Sequence, residues 1–328
     1  MVPVPRADLR RAAAVVLVVL ALSVGAGHAL ADPAAAGATG GSPGGTGATG
    51  STERLTPAKA VVLGVVEGVT EYLPVSSTGH LLVAERIMGL GQTPETKDAA
   101  DSYAIAIQAG AILAIVLLYF GRLRSMVEGI VGRDPSGRRV LVGLVVAFVP
   151  AAVIGVVFEP LIKQHLLGTW QVIAAWIAWG VVILVVADRW AAHRGGVDLD
   201  AITARQGLLI GVAQCLSMWP GTSRSLVTIL AALAVGLTLG AAVEFSFLLG
   251  LVTLGAATGY EALTNGSTMI DAYGWLAPAL GLVAAFVSAA VAVRWMVDYL
   301  QRHSLAIFGW YRIVVGVAAA ALVVTGTI

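Results

Sequence analysis

The chain has 328 residues, of which 58% are hydrophobic and only 12% charged, and its net charge is +1. A soluble fold could not hide so much apolar surface, and so balanced a charge gives no reason to expect nucleic acid or an acidic partner. A single cysteine, Cys215, excludes an intramolecular disulfide, a redox pair and a thiolate zinc site.

The first 31 residues set Arg6, Arg10 and Arg11 before an apolar run from Ala12 to about Ala26, and end in Ala29-Leu30-Ala31. This is the pattern of a secretory signal peptide with a small-residue cleavage site; an uncleaved transmembrane helix is the alternative. Residues 32–53 are almost entirely Gly, Ala, Ser, Thr and Pro, too poor in large apolar side chains to form a core. They read as a disordered tether outside the cytoplasm.

Residues 54–328 read as a polytopic membrane domain. Six apolar segments, at about 101–120, 138–158, 169–188, 242–263, 273–297 and 304–327, are long enough to cross a hydrocarbon core of roughly 30 Å. Two more, about 57–90 and 204–239, are interrupted by polar turn-forming clusters: Pro74-Val75-Ser76-Ser77-Thr78-Gly79-His80 and Pro220-Gly221-Thr222-Ser223-Arg224-Ser225. Broken backbone at membrane depth survives only where protein or a water-filled cavity satisfies it, so both are expected to be re-entrant helix-loop-helix hairpins. The expected fold is an all-α integral membrane protein with six transmembrane helices and two re-entrant hairpins.

A hairpin precedes each set of three spans. Three is odd, so the second half (204–328) enters from the face opposite to the first (54–190), which makes an inverted repeat. Pro74, Ser76 and Ser77 match Pro220, Thr222 and Ser223 at a common offset. Arg122, Arg124, Arg133, Arg138 and Arg139, then Arg189, Arg194 and Arg205, then Arg302, fall in alternate loops, which marks that side as cytoplasmic.

Glu67 and Glu71 stand in an otherwise apolar stretch, and their i, i+4 spacing puts both carboxylates on one helix face. After them, Ser76, Ser77, Thr78 and His80 open the second half of the hairpin, where free N–H groups and the helix dipole favour an anion. Ser76 by itself reads as an ordinary helix cap. The second break offers Thr222, Ser223 and Ser225 with Arg224, whose planar fork suits bidentate phosphate recognition. Left unpaired at the bilayer centre, Glu67, Glu71 and Arg224 would together cost on the order of 8 to 10 kcal/mol. That rivals the whole stability of a typical fold, about 5 to 15 kcal/mol. They must compensate one another, bind a ligand or line water. Inverted repeats would bring both breaks together, giving two helix N-termini and an arginine for phosphate, and two carboxylates for a divalent cation. Glu244, Glu261, Arg294 and Arg312 read as residues snorkelling near span ends, and His165, His193 and His303 as loop residues.

The stretches Glu67-Gly-Val-Thr-Glu71-Tyr-Leu-Pro-Val-Ser76-Ser77-Thr78-Gly-His80 and Pro220-Gly-Thr-Ser223-Arg224-Ser225 resemble the two signature motifs of the undecaprenyl-diphosphatase family, the bacitracin-resistance proteins. The flanking Gln108-Ala-Gly-Ala-Ile-Leu-Ala and Phe245-Ser-Phe-Leu-Leu are similar to that family too, and the resemblance runs from about Leu55 to the C-terminus. It implies a membrane phosphatase that removes the terminal phosphate of undecaprenyl diphosphate at the outer face of the bacterial plasma membrane. The lipid carrier for cell-wall synthesis is thereby recycled, and resistance follows to bacitracin, which binds the same substrate. By resemblance, Glu67 and Glu71 belong to the acidic motif that uses a divalent metal, Mg or Ca. Ser77 and His80 correspond to the nucleophile and acid/base pair, and Arg224 to the phosphate-binding arginine; a homodimer is compatible with this family. Leu226 departs from the pattern, standing where the family usually has Gly, and is expected to narrow the pocket. Two other classes compete: a polyprenyl-phosphate flippase, for which inverted repeats are equally apt, and a binding or scaffold protein, which leaves the acidic pair unexplained.

Overall fold

The computed structural model describes residues 54–165, 168–191 and 195–326. The expected signal segment and tether, with His28, and the loop residues His193 and Arg194 lie outside the described residues. Twelve α-helices occur among the described residues: α1 Pro57–Thr70, α2 Ser77–Ile87, α3 Pro94–Leu118, α4 Phe120–Ile130, α5 Pro135–His165, α6 Thr169–Ala191, α7 Ala204–Gln214, α8 Arg224–Ala234, α9 Leu239–Thr264, α10 Gly266–Tyr273, α11 Leu276–Leu300 and α12 Ala306–Val324. The all-helical class is as expected. Six helices, α3, α5, α6, α9, α11 and α12, are long and apolar enough to cross a membrane.

Local chemistry sets the helix ends. Thr56 accepts the Lys59 N–H at 3.3 Å, and Pro57 follows it at the first helical position, where its missing N–H costs nothing. The Asp134 carboxylate accepts the N–H groups of Ser136 (2.9 Å) and Gly137 (3.0 Å) to start α5. Thr238 accepts the Ala241 N–H to start α9. Proline also moves one boundary: α3 begins at Pro94, seven residues ahead of the expected 101, so its first turns carry Lys97 and Asp101, paired at 2.8 Å.

The loop read at 121–139 contains a helix, α4. Leu123, Met126, Val127 and Ile130 recur at helical spacing, and Met126 is buried against the bundle. The arginines between these positions had hidden that period. Two arginine-rich loops meet at one end of the bundle. Arg122 donates to Asp200 (2.5 Å) and Glu244 (2.7 Å), and Arg139 donates to the Asp200 carbonyl (2.8 Å).

The helices pair across the two halves of the chain. α1 and α3 pack on α11, α7 and α9 pack on α5, α3 meets α9, and α6 meets α12. Exchanging first-half helices for their second-half counterparts maps this list onto itself. Matching contacts use small residues. A Cβ on Gly68 would lie 2.2 Å from the Ala285 carbonyl oxygen, and one on Gly211 would lie 2.2 Å from that of Ala147. Such close seams are how helices associate where lipid removes the hydrophobic drive between them. Val142, Val145, Val149, Val153 and Val156 form an exposed apolar ridge along α5, the face a span turns to hydrocarbon.

Candidate active site

Both breaks arise from residues that cannot continue a helix. In the first, Pro74 lacks an N–H and disfavours helical backbone at Leu73, while Ser76 adopts φ +75°, in the left-handed region that non-glycine residues rarely occupy. Strain of this kind persists only where surrounding contacts hold it. In the second, a 3-10 turn at Cys215–Met218 leads to Pro220 and to Gly221 at φ +89°; any Cβ on Gly221 would meet the Val172 carbonyl oxygen at 2.7 Å.

The two breaks interlock. Ser225 donates to the Leu73 carbonyl at 2.9 Å and Ser223 reaches it at 3.4 Å, while the two hydroxyls lie 2.9 Å apart. Ser223 also caps α8 by accepting the Leu226 N–H. These hydroxyls, expected to hold phosphate, thus join one break to the other. Leu226 is wholly buried in the main apolar cluster with Tyr72, Leu73 and Phe247, so its bulk is absorbed there.

Around this joint the expected site residues gather. Ser77, buried at the start of α2, donates to the Glu71 carboxylate in a very short contact. The other Glu71 oxygen accepts from Arg224 at 3.0 Å. Arg224 spends its second terminal nitrogen on the Ser246 carbonyl (3.1 Å), lies over the Tyr72 ring, and occupies the space a side chain at Gly250 would fill. Its fork is therefore divided between a carboxylate and a backbone carbonyl. Glu67 is 0% exposed and neither of its oxygens has a hydrogen-bond donor. Glu71 follows one helical turn later, its N–H donating to the Glu67 carbonyl at 2.9 Å, so both carboxyls leave the same face of the helix.

His80 is not paired with Ser77. Its Nδ1 donates to the Ser76 carbonyl (2.7 Å), which can only accept, so a neutral ring accepts the Tyr311 hydroxyl at Nε2 (2.7 Å). The ring is packed between Trp176 and Tyr311. The Ser76 hydroxyl does not cap α2, contrary to the reading of it as a cap, and Thr78 is exposed. Thr222 is buried and its hydroxyl has no partner.

Arg312 requires a correction. It does not snorkel at a span end; it is 0% exposed and donates to three carbonyls, Gly221 (2.6 Å), Pro74 (3.3 Å) and Ala175 (3.3 Å). One guanidinium thus ties the first break, the second break and α6. Its signal in the sequence was depth, since position 312 lies more than two helical turns beyond 304. Tyr311, Tyr72, Trp176 and Ser246 were also missed, because aromatic and small hydroxyl residues in apolar spans look like packing. Glu244 pairs with Arg122, and Glu261 accepts from Ser102 at 2.7 Å.

Among the described residues, nearly all the buried side-chain polar atoms that lack a partner lie in this region. Apart from Glu85 Oε1 and Thr258 Oγ1, they belong to Glu67, Tyr72, Trp176, Gln214, Thr222, Arg224 and Arg312, at the breaks or in helices packed on them. Orphaned polar groups are costly inside a membrane, so their concentration marks a place built around a polar guest. Two adjacent carboxyls, one without donors, suit a hard divalent cation, which binds oxygen ligands and commonly completes its shell with substrate phosphate and water. Among the described residues no group of three His, Cys, Asp or Glu side chains converges.

The sequence profile of the family described as bacitracin resistance protein BacA matches residues 60–318. The chain belongs to that family. Its relatives include an undecaprenyl-diphosphatase of Sorangium cellulosum, 44% identical over 260 residues (78% of this chain, 83% of the relative), and one of Rhodopseudomonas palustris, 42% identical over 258 residues (79% and 94%). Another, from Cereibacter sphaeroides, is 41% identical over 271 residues, 83% of this chain and 98% of the relative. The matched span begins inside α1 and ends inside α12, so both breaks and the arginine that joins them belong to the family's common region.

Proposed function

We propose that this chain is an undecaprenyl-diphosphate phosphatase, converting undecaprenyl diphosphate and water to undecaprenyl phosphate and inorganic phosphate. The observation that carries the reading is the chain of contacts Ser77–Glu71–Arg224 at the start of α2. A serine hydroxyl hydrogen-bonded to a carboxylate, itself oriented by a guanidinium, is an activated nucleophile with its base in place. Ser77 Oγ attacks the terminal phosphorus as Glu71 takes its proton. The bond from that phosphorus to the bridging oxygen breaks, and undecaprenyl phosphate leaves. Water then attacks the phosphoserine, releasing phosphate and restoring Ser77. With both ring nitrogens engaged, His80 holds the Ser76 carbonyl and the break in shape, and Ser77 is the nucleophile the geometry favours.

Phosphoryl transfer needs positioning and charge neutralisation above all. Ser76, Thr78, Thr222 and the first N–H groups of α2 line the phosphate seat, with Arg224 beside it; Ser223 and Ser225 fix its second wall. Glu67 and Glu71 would hold a divalent cation, Mg or Ca, which supplies charge neutralisation to the phosphoryl oxygens when bound.

The breaks are the tips of re-entrant hairpins in two inverted halves, 54–190 and 204–328, a reading supported by the self-matching helix contacts. Arginine-rich loops at one end support a cytoplasmic side there, with the site opening to the opposite, extracytoplasmic side of the plasma membrane. Bacitracin would act against this enzyme by sequestering the lipid diphosphate. The test is phosphate release from undecaprenyl diphosphate by purified protein in detergent. Release there, where no transport is possible, is expected; its absence would remove the enzyme reading and leave the polyprenyl-phosphate flippase.

A further inference from the structure

Trp176 sits on α6, 1% exposed, and its indole N–H has no acceptor. A buried ring that served only to fill space would pack as well without that donor. Its position is specific. The ring occupies the place of a side chain at Gly79: a Cβ there would lie 2.7 Å from Cε2, the atom bonded to the indole nitrogen, and 2.5 Å from Cζ2. Gly79 is the third residue of α2, so the nitrogen edge of the indole lies against the opening turn of that helix. The indole also meets His80, 4.9 Å away between ring centroids, with both of its nitrogens already bonded elsewhere.

The start of α2 is open in a way the start of α8 is not. Ser223 caps α8, whereas the Ser76 hydroxyl makes no cap to α2, and φ +75° at Ser76 turns the chain into that helix. The first N–H groups of an uncapped helix seek an acceptor and attract an anion. A neutral donor beside them, buried and without a partner, adds to the same demand. The neighbouring Arg312 and His80 already donate to carbonyls, Arg312 through its terminal nitrogens and His80 through Nδ1, which leaves the indole N–H as the donor still to be met.

We infer that the indole N–H of Trp176 donates directly to a non-bridging oxygen of the phosphate seated at the start of α2. This rests on the phosphatase reading above and adds a substrate-binding residue from α6, outside both breaks. Gly79 contributes by what it lacks: its missing side chain is what lets the indole reach the seat.

Trp176→Phe removes the N–H and keeps most of the ring. With an unchanged unfolding midpoint, it is expected to lower kcat/KM on undecaprenyl diphosphate about ten- to a hundred-fold, the scale for one hydrogen bond to a charged group. In wild-type protein, the indole 15N–1H resonance that Trp176→Phe deletes is expected to move downfield on adding inorganic phosphate. A resonance that stays in place, or a Trp176→Phe protein with native kcat/KM, overturns the inference. If Trp176→Phe unfolds, Trp176→Tyr takes its place in assigning the resonance, and the response of that resonance to phosphate decides. If wild-type protein releases no phosphate from the lipid, the phosphatase reading fails separately, and the resonance response still decides whether the indole meets phosphate.

Discussion

Replacing Arg312 with methionine keeps an unbranched apolar stem while removing every donor that ties the two breaks to α6. Hydrogen bonds from a charged group contribute about 1.5 to 3 kcal/mol each. One of the three is short, at 2.6 Å to Gly221, and two are long, at 3.3 Å to Pro74 and Ala175. The loss is therefore set at about 3 to 6 kcal/mol. Removing a buried cation that has no carboxylate partner among the described residues works in the opposite direction, since its desolvation is relieved. The carbonyls remain, however, in breaks whose backbone cannot pair with itself, so the loss dominates. Against a typical stability of about 5 to 15 kcal/mol, Arg312→Met should unfold readily or lose the joint between the breaks. Arg312→Lys should recover only part, because a single ammonium cannot span carbonyls on three separate elements. Chemical unfolding in detergent, read beside phosphate release, measures both effects. If Arg312→Met matches wild type in unfolding midpoint and turnover, the three contacts carry no weight and the account of the joint is wrong.

Arg224→Lys keeps the charge at Glu71 but cannot also reach the Ser246 carbonyl with forked geometry, so turnover should fall roughly 10²- to 10³-fold; near-native activity in well-folded protein would remove Arg224 from the phosphate seat. Glu67→Gln with Glu71→Gln should abolish phosphate release and weaken the response to added Mg or Ca, and full activity of wild type after thorough chelation would show that no metal is used. In a Cys215→Ser background, an impermeant thiol reagent applied to intact cells should label Ser267→Cys and leave Arg133→Cys unlabelled. Equal labelling at both positions would contradict the proposed topology.

The six spans were legible because length and apolar content alone define them, and the breaks because Pro74, Pro220 and Gly221 are incompatible with helix. Glu67, Glu71, Ser77 and Arg224 stood out as polar groups in apolar surroundings, and the last three do meet in space. What failed was partner choice. Ser223 and Ser225 look like phosphate ligands in isolation, yet their acceptor is a carbonyl about 150 positions away, as the Ser223–Leu73 contact records. His80 beside Ser77 suggested an acid/base pair, but helical direction carries its ring toward α12 and Tyr311 instead. Arg312 departs from the expected snorkelling role because carbonyls deep in the bundle, and not the end of the span, form its environment. Local pattern gives depth along a helix; it does not say which backbone a long side chain will find there. The helix α4 was hidden for the converse reason, since its charges obscured an apolar period that was present.

The crossing of the two halves also sets the order in which the protein can be completed. α1 leaves the ribosome early, but the surface it packs against, on α11, is made more than 200 residues later, as the approach of Gly64 to Gly281 indicates. Until then the first hairpin has no neighbour for its small-residue seam, and its carboxylates have no Arg224. The last requirement is Arg312, close to the end of the chain. A nascent chain stalled before α12 would therefore hold Ser77, Glu71 and Arg224 without the guanidinium that ties the breaks. Synthesis of α12 is the step at which an inserted chain gains the contacts that tie its two breaks together.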